Sequence, residues 1–158
     1  MNRPVAAPII VALFLGFALA AGSPPVVAAG TVKAAVKTPA VKTADRTAIR
    51  RVIQSQLDAF MKDDGATAFN FSTPALRERF GNPVSFMAMV RKAYQPVYRP
   101  TQVSFGAIEE VDGIEVQHVL VVDADGNTHE ALYFMEHQKD NRWLIAGCVL
   151  RASDLIPT

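Results

Sequence analysis

A single cysteine, Cys148, in 158 residues excludes an intrachain disulfide framework. In an oxidising compartment a lone thiol is most simply explained as buried. From Gly22 to Thr43 there is neither an acid nor an aromatic residue, so nothing in that stretch offsets the entropy of ordering, and it reads as a flexible linker. Its Val-Lys units, at Lys33, Lys37 and Lys42, are too few for the ~4 to 8 clustered charges of a lipid-binding patch. No nucleotide-binding glycine loop, paired-histidine helix or serine elbow occurs. Cys148 has no motif context marking it as a nucleophile.

Ahead of the linker, Arg3 precedes an apolar run from Val5 to Ala21 interrupted only by Pro8 and Gly16. Ala18-Leu19-Ala20 then forms a small-x-small site, the pattern of a secretory signal peptide over residues 1–20. The competing reading is an uncleaved anchor, because the run approaches the ~20 apolar residues of a bilayer span. Either way the remainder is expected outside the cytoplasm, periplasmic or secreted. Residues 21–44 are the linker, and 45–158 has the length of a single domain.

Half of the chain is hydrophobic, as a packed core requires. Its charge is unevenly divided. Residues 45–100 hold nine Lys and Arg against five Asp and Glu, whereas 101–158 hold three against ten. The second half is therefore acidic, which argues against a nucleic-acid groove there.

The first half is helical by periodicity. Asp45 is placed to cap a helix whose apolar positions Ile49, Val52, Ile53, Leu57, Phe60 and Met61 share one face. Gln56 falls within that stripe, so its amide must bond to backbone or line a cavity. Asp63-Asp64-Gly65 ends this helix; the two carboxylates suggest a metal or acid-base pair, or an acidic cap on a short second helix bearing Phe69 and Phe71. Thr73-Pro74 opens a turn ending at Phe80-Gly81, and Asn82-Pro83 starts a third helix with Phe86, Met87, Met89 and Val90. Pro96 and Pro100 are expected to hold the crossover extended. Arg99 then either meets an anion at a pocket mouth or clamps the crossover to an acid or carbonyl.

Gln56-Leu57-Asp58-Ala59-Phe60 with Asp63-Asp64, then Phe80-Gly81-Asn82-Pro83, Phe86, Met89-Val90-Arg91, Tyr94, Pro96-Val97-Tyr98-Arg99-Pro100 and Gly147-Cys148-Val149-Leu150 resemble an exported bacterial family, domain of unknown function 4864. The layout is similar to the nuclear transport factor 2-like superfamily, which includes ketosteroid isomerases, dehydratases and many non-catalytic binding modules. The resemblance spans about residues 45–152, with Tyr94 to Pro100 its most distinctive part. It implies a fold and no catalytic residues.

The second half carries four strand-like runs. Asp112-Gly113 and Asp125-Gly126 are two-residue hairpin signals. They place Ala107 opposite His118 and Phe105 opposite Leu120, then His118 opposite Tyr133 and Val116 opposite Met135. One face thus collects Val103, Phe105, Ala107, Val116, His118, Leu120, Val122, Ala131, Tyr133 and Met135, and is assigned to the helices. A loop over Lys139 to Asn141 adds Trp143 and Ile145 to it, and a bulge at Gly147 turns Cys148 and Leu150 inward. The opposite face collects Ile108, Val119, Val121, Leu132 and Phe134, enough apolar surface to call for a partner or a second copy.

The expected fold is thus α+β: three helices packed on a curved four-stranded antiparallel meander, the nuclear transport factor 2-like cone, with a pocket between the layers. A shared zinc is excluded because His129 falls ~13 Å along the strand from His118. Asp123, Asp125 and Asn127 imitate a calcium loop, but Thr128 stands where Gly is required and Phe134 where Glu is. No metal or cofactor is called for. Three functions stay open. The leading one is a non-catalytic module binding a small apolar ligand or an envelope protein, with Gln56, Tyr94, Tyr98, Arg99, His118, Tyr133 and Trp143 as candidate ligand-binding residues. The second is an isomerase- or lyase-type enzyme in which His118 carries a proton and Tyr133 donates to an oxyanion. The third is a homodimer formed through the outer sheet face.

Overall fold

A computed structural model describes residues 42–153. The leader and almost all of the linker lie outside these residues. Five helices precede a four-stranded antiparallel sheet of order β1-β2-β3-β4: α1 Thr43–Met61, α2 Gly65–Asn70, α3 Pro74–Phe80, α4 Pro83–Ala93, α5 Gln95–Tyr98, β1 Gln102–Val111, β2 Ile114–Val122, β3 Thr128–His137 and β4 Trp143–Ala152.

The helix signals act largely at the residues that carry them. The Asp64 side chain accepts from Thr67 N at 3.0 Å, Thr73 from Leu76 N at 3.3 Å and Asn82 from Ser85 N at 2.9 Å. Pro74 and Pro83 occupy first-turn positions, where a missing N–H costs nothing. Asp45 is a correction: α1 already begins at Thr43, without a side-chain cap at Lys42. Asp45 sits in the first turn, where its charge suits the helix dipole. The helical layer also has more parts than the three expected, because the Thr73-Pro74 turn continues as α3. The crossover, expected to be extended, contains the short helix α5, since Pro96 falls at its start and a fixed φ near −65° suits a first helical turn.

A single apolar core joins Ile49, Ile53, Leu57 and Phe60 of α1, Phe69 of α2, Phe86, Met87 and Val90 of α4 and Val97 of α5 to one face of the sheet. The segment between α2 and α3 covers part of the β4 edge: Ile145 N donates to Phe71 O at 2.8 Å, and Thr73 N donates to Ile145 O at 2.9 Å. Strand groups that would otherwise face an open edge are thereby paired.

Register decides which side chains face the core. The Asp112-Gly113 turn is as read, with φ 53 and 80 and Val111 opposite Ile114. A bulge between Phe105 and Ile108 then inserts an extra residue in β1, and Phe105 faces Val119 rather than Leu120. The second turn is one residue longer than the two-residue reading. Asp123 N donates to Asn127 O and Gly126 N to Asp123 O, and Gly126 takes φ 83, so Val122 pairs with Thr128. Each irregularity shifts the pairing by one, and the two compensate. Only β2, lying between them, and the adjoining end of β1 are inverted relative to the sequence reading. Gln117, Val119 and Val121 point inward with Ile108, while Val116, His118 and Leu120 point outward. Past the bulge, Val103 and Phe105 face the core as read, as do Ala131, Tyr133 and Met135.

The third turn needs no correction. His137 pairs with Trp143 and Met135 with Ile145, and a bulge before Gly147 brings Cys148 opposite Tyr133 and Leu150 opposite Ala131. The β1 bulge is held by side chains: Gln117 Nε2 donates to Gly106 O, Ala107 O and His118 O at 3.1, 3.0 and 2.7 Å, and Arg50 Nη2 to Gly106 O at 3.1 Å. Glycine fits at 106 because a Cβ there would lie 3.3 Å from His118 Cβ.

Candidate functional site

The nominated residues do not converge on one site. Gln56 is buried, and its Nε2 donates to Ala68 O at 3.1 Å, tying α1 to α2; it takes the backbone-bonded alternative. Tyr94 Oη donates to Cys148 O at 2.9 Å and fastens the end of α4 to β4. Trp143 Nε1 donates to Asp45 Oδ1 at 3.3 Å, and its ring lies 4.8 Å from that of His137.

Tyr98 and Arg99 meet Asp63, at the end of α1. Tyr98 Oη donates to Asp63 Oδ1, Arg91 Nη2 reaches the same oxygen at 3.0 Å and Arg99 Nη2 reaches Oδ2 at 2.7 Å. Arg99 Nη1 also donates to Phe60 O, a carbonyl in the last turn of α1 that accepts from Asp63 N as well. The guanidinium of Arg99 lies 3.9 Å from the Tyr98 ring centroid. The bond from Tyr98, then that from Arg91, holds the Asp63 carboxyl below its ordinary range. Asp63 and Asp64 are therefore not an acid-base pair: one caps α2 and the other anchors the crossover.

His118 and Tyr133 are not neighbours. Tyr133 stands opposite Gln117 and His118 opposite Leu132; adjacent residues of a strand project to opposite faces, so the expected pair is divided by the sheet itself. Tyr133 is 1% exposed, and its hydroxyl has no partner among the described residues. Burial, with Cys148 and Tyr94 adding to it, holds its pKa well above the ordinary value. Burial likewise pushes the Cys148 thiol up to about 12, so it is not a thiolate nucleophile near neutral pH.

The outer face assembles a constellation that sequence reading missed. Its middle row is His118, Leu132 and Val149 across β2, β3 and β4. The row on one side holds Leu120, Glu130 and Arg151, and the row on the other holds Glu109, Val116, Phe134 and Gly147. His118 Nδ1 is 2.7 Å from Glu130 Oε1, and Arg151 Nε and Nη2 are 2.7 and 2.6 Å from Glu130 Oε2. A carboxylate only accepts, so His118 donates from Nδ1 and turns Nε2 outward, 3.6 Å from Glu109 Oε2. Burial by itself would raise Glu130, but the bonds from His118 and Arg151 outweigh it and hold the carboxyl below the ordinary range. The available signal was diagonal: His118 and Glu130 are neighbours across β2 and β3 only once the second turn has its true length.

His129 and Asp123 form a separate pair at 2.8 Å. Asp123 also accepts from Asp125 N and Asn127 N at 3.0 and 2.9 Å. The His129 bond first, and these turn bonds with it, bring Asp123 down to about 2. The calcium-like acids therefore close a turn. Among the described residues, no three His, Cys, Asp or Glu side chains are grouped to hold a metal ion, and no helix is long and apolar enough to cross a membrane.

Two open grooves mark the surface. One of about 330 Å³ is lined by Ser55, Asp58, Ala59, Lys62, Asp64, Thr67 and Phe71, and one of about 390 Å³ by Glu136 to Asp140. Neither includes a nominated residue.

No curated protein and no solved structure matches the chain significantly. A family model described as Domain of unknown function (DUF4864) does match, over residues 42–155, which takes in every helix and strand described above. The match covers most of the chain, and the chain belongs to that family.

Proposed function

We propose that this is an exported, non-catalytic binding module, built as a nuclear transport factor 2-like cone, that meets a protein partner on the outer face of its sheet. One observation carries the reading. The outer face sets the His118–Glu130–Arg151 network among the partly exposed Leu120, Leu132, Phe134 and Val149, which lie outside the core cluster, with Val116 buried beneath them. An apolar field around a charged, hydrogen-bonded centre is the composition of a protein interface rather than of an ordinary solvated sheet face. The leader-like run and the linker that precede the domain support export on a tether. The inner layer favours no reaction: Gln56 and Tyr94 are bonded to backbone, and Gln117 supports the β1 bulge.

The test is site-specific photocrosslinking in the native cell envelope, with a benzophenone amino acid at Val149, which is 46% exposed, and at Ser55 on α1 as the control. A discrete adduct is expected at 149 and not at 55, and it should disappear in Phe134→Glu while circular dichroism stays unchanged. A folded protein giving no adduct at 149 overturns the reading. An adduct of twice the chain mass makes the partner a second copy.

A further inference from the structure

We propose that the protein partner on the outer face is a second copy of this chain, docked sheet to sheet with strands nearly perpendicular and with Arg151 of each copy against Glu109 of the other. This rests on the interface reading above and names the occupant. Arg151 and Glu109 stand at opposite corners of the face, on β4 and β1, with side chains 56% and 60% exposed. Neighbouring strands lie ~4.8 Å apart and same-face residues of one strand ~6.7 Å apart, so the two corners are separated by roughly 20 Å. One chain cannot join them. Arg151 gives Nε and Nη2 to Glu130, and a guanidinium has further N–H groups to donate. The exposed Glu109 carboxylate is an acceptor of the matching charge.

A two-fold axis lying in the face along the other diagonal, through Leu120, Leu132 and Gly147, exchanges these corners. In such a pair, residues on the axis meet their own copies and every other contact occurs twice. Leu120 and Leu132 then meet themselves, Phe134 meets Val149 and His118 comes over Glu130, so the partly exposed apolar side chains are matched with one another. Because the two spacings are similar, the exchange turns strand direction into cross-strand direction, the orthogonal class of sheet packing. Glu136, beyond Phe134 on β3, falls past the edge of the second sheet and adds no repulsion. Gly147 is an independent sign. Its φ is not positive, and a Cβ there would meet nothing within 4 Å, so neither backbone conformation nor packing inside the chain calls for glycine. Glycine in a strand suits the close approach of another backbone, and here it lies on the axis, opposite the Gly147 of the second copy.

Two differently tagged copies of the full chain, each with Cys148→Ala, are produced together in the native cell envelope and treated with a bis-maleimide spanning about 10 Å, the separation of packed sheets. Leu132→Cys, on the axis, is expected to give an adduct of twice the chain mass. Leu120→Cys, also on the axis, takes its place if Leu132→Cys does not fold. Arg151→Cys and Glu109→Cys should each give little adduct alone, their thiols being roughly 20 Å from those of their own copies. Carried by different copies, the same two cysteines face one another and should give about fivefold more adduct or better. A doubled adduct on the axis without this preference at the corners overturns the inference. No doubled adduct at either axis position, with an adduct of another mass at Val149, overturns the second copy and leaves the interface reading standing. No adduct at Leu132, Leu120 or Val149 in a folded protein overturns both.

Discussion

Tyr94 and Tyr133 both approach Cys148, one through its carbonyl and the other as its cross-strand partner, yet their hydroxyls fare differently. Removing the Tyr94 hydroxyl leaves a carbonyl without its donor, so Tyr94→Phe is expected to cost about 1 to 2 kcal/mol in urea unfolding. Tyr133→Phe removes a buried hydroxyl that has no partner among the described residues. Its stability should be unchanged or higher by up to about 1 kcal/mol. A loss for Tyr133→Phe as large as that for Tyr94→Phe would mean that the Tyr133 hydroxyl bonds to a water or to residues outside 42–153. Polarity at both sites was plain in the sequence. Partnership was not, because a hydrogen bond depends on where a distant backbone oxygen comes to lie.

At the scale of elements, the crossover from helices to sheet depends on Arg99. It joins the α1 carbonyl of Phe60, the Asp63 carboxylate and the Tyr98 ring and carbonyl with one planar group. Lysine keeps the charge but loses the fork and the stacking plane. Arg99→Lys is therefore expected to lower stability by about 1 to 2 kcal/mol, measured as the shift in urea midpoint at constant m. An unchanged midpoint would refute the clamp and return Arg99 to the role of an anion contact. The elements also show where legibility ended. Caps at Asp64, Thr73 and Asn82 are local, made by side chains to backbone three residues away, and could be read directly. The β1 bulge is not local: Gly106 and Ala107 are carried out of register by Gln117 and Arg50, from another strand and from α1.

For the whole molecule, the core within the described residues draws on every helix, α3 through the partly buried Phe80 against Phe86, and on the inner sheet face. The segment Lys37–Thr158 is also one compact unit. A chain shortened to that unit should unfold in one cooperative transition, with Tm within about 3 °C of the full chain. Calorimetry giving two transitions, or a Tm lower by about 10 °C or more, would show that the preceding residues contribute to the fold.

By itself the sequence determined the helix-then-sheet order, the caps at Asp64 and Asn82 though not the one expected at Asp45, the third turn with the β4 bulge, and the acidic character of the second half. These follow from properties of neighbouring residues: periodicity, turn chemistry and charge. Only the tertiary structure decided the register of β2. A strand alternates its side chains with a period of two, so one extra residue in the β1 bulge and one in the second turn exchanged its faces. That exchange buried Gln117, parted His118 from Tyr133, and placed His118 beside Glu130 and Arg151 on the outer surface. Val116 and Val119 are alike to any local rule, and the choice between them rests on which face of the finished sheet the helices cover.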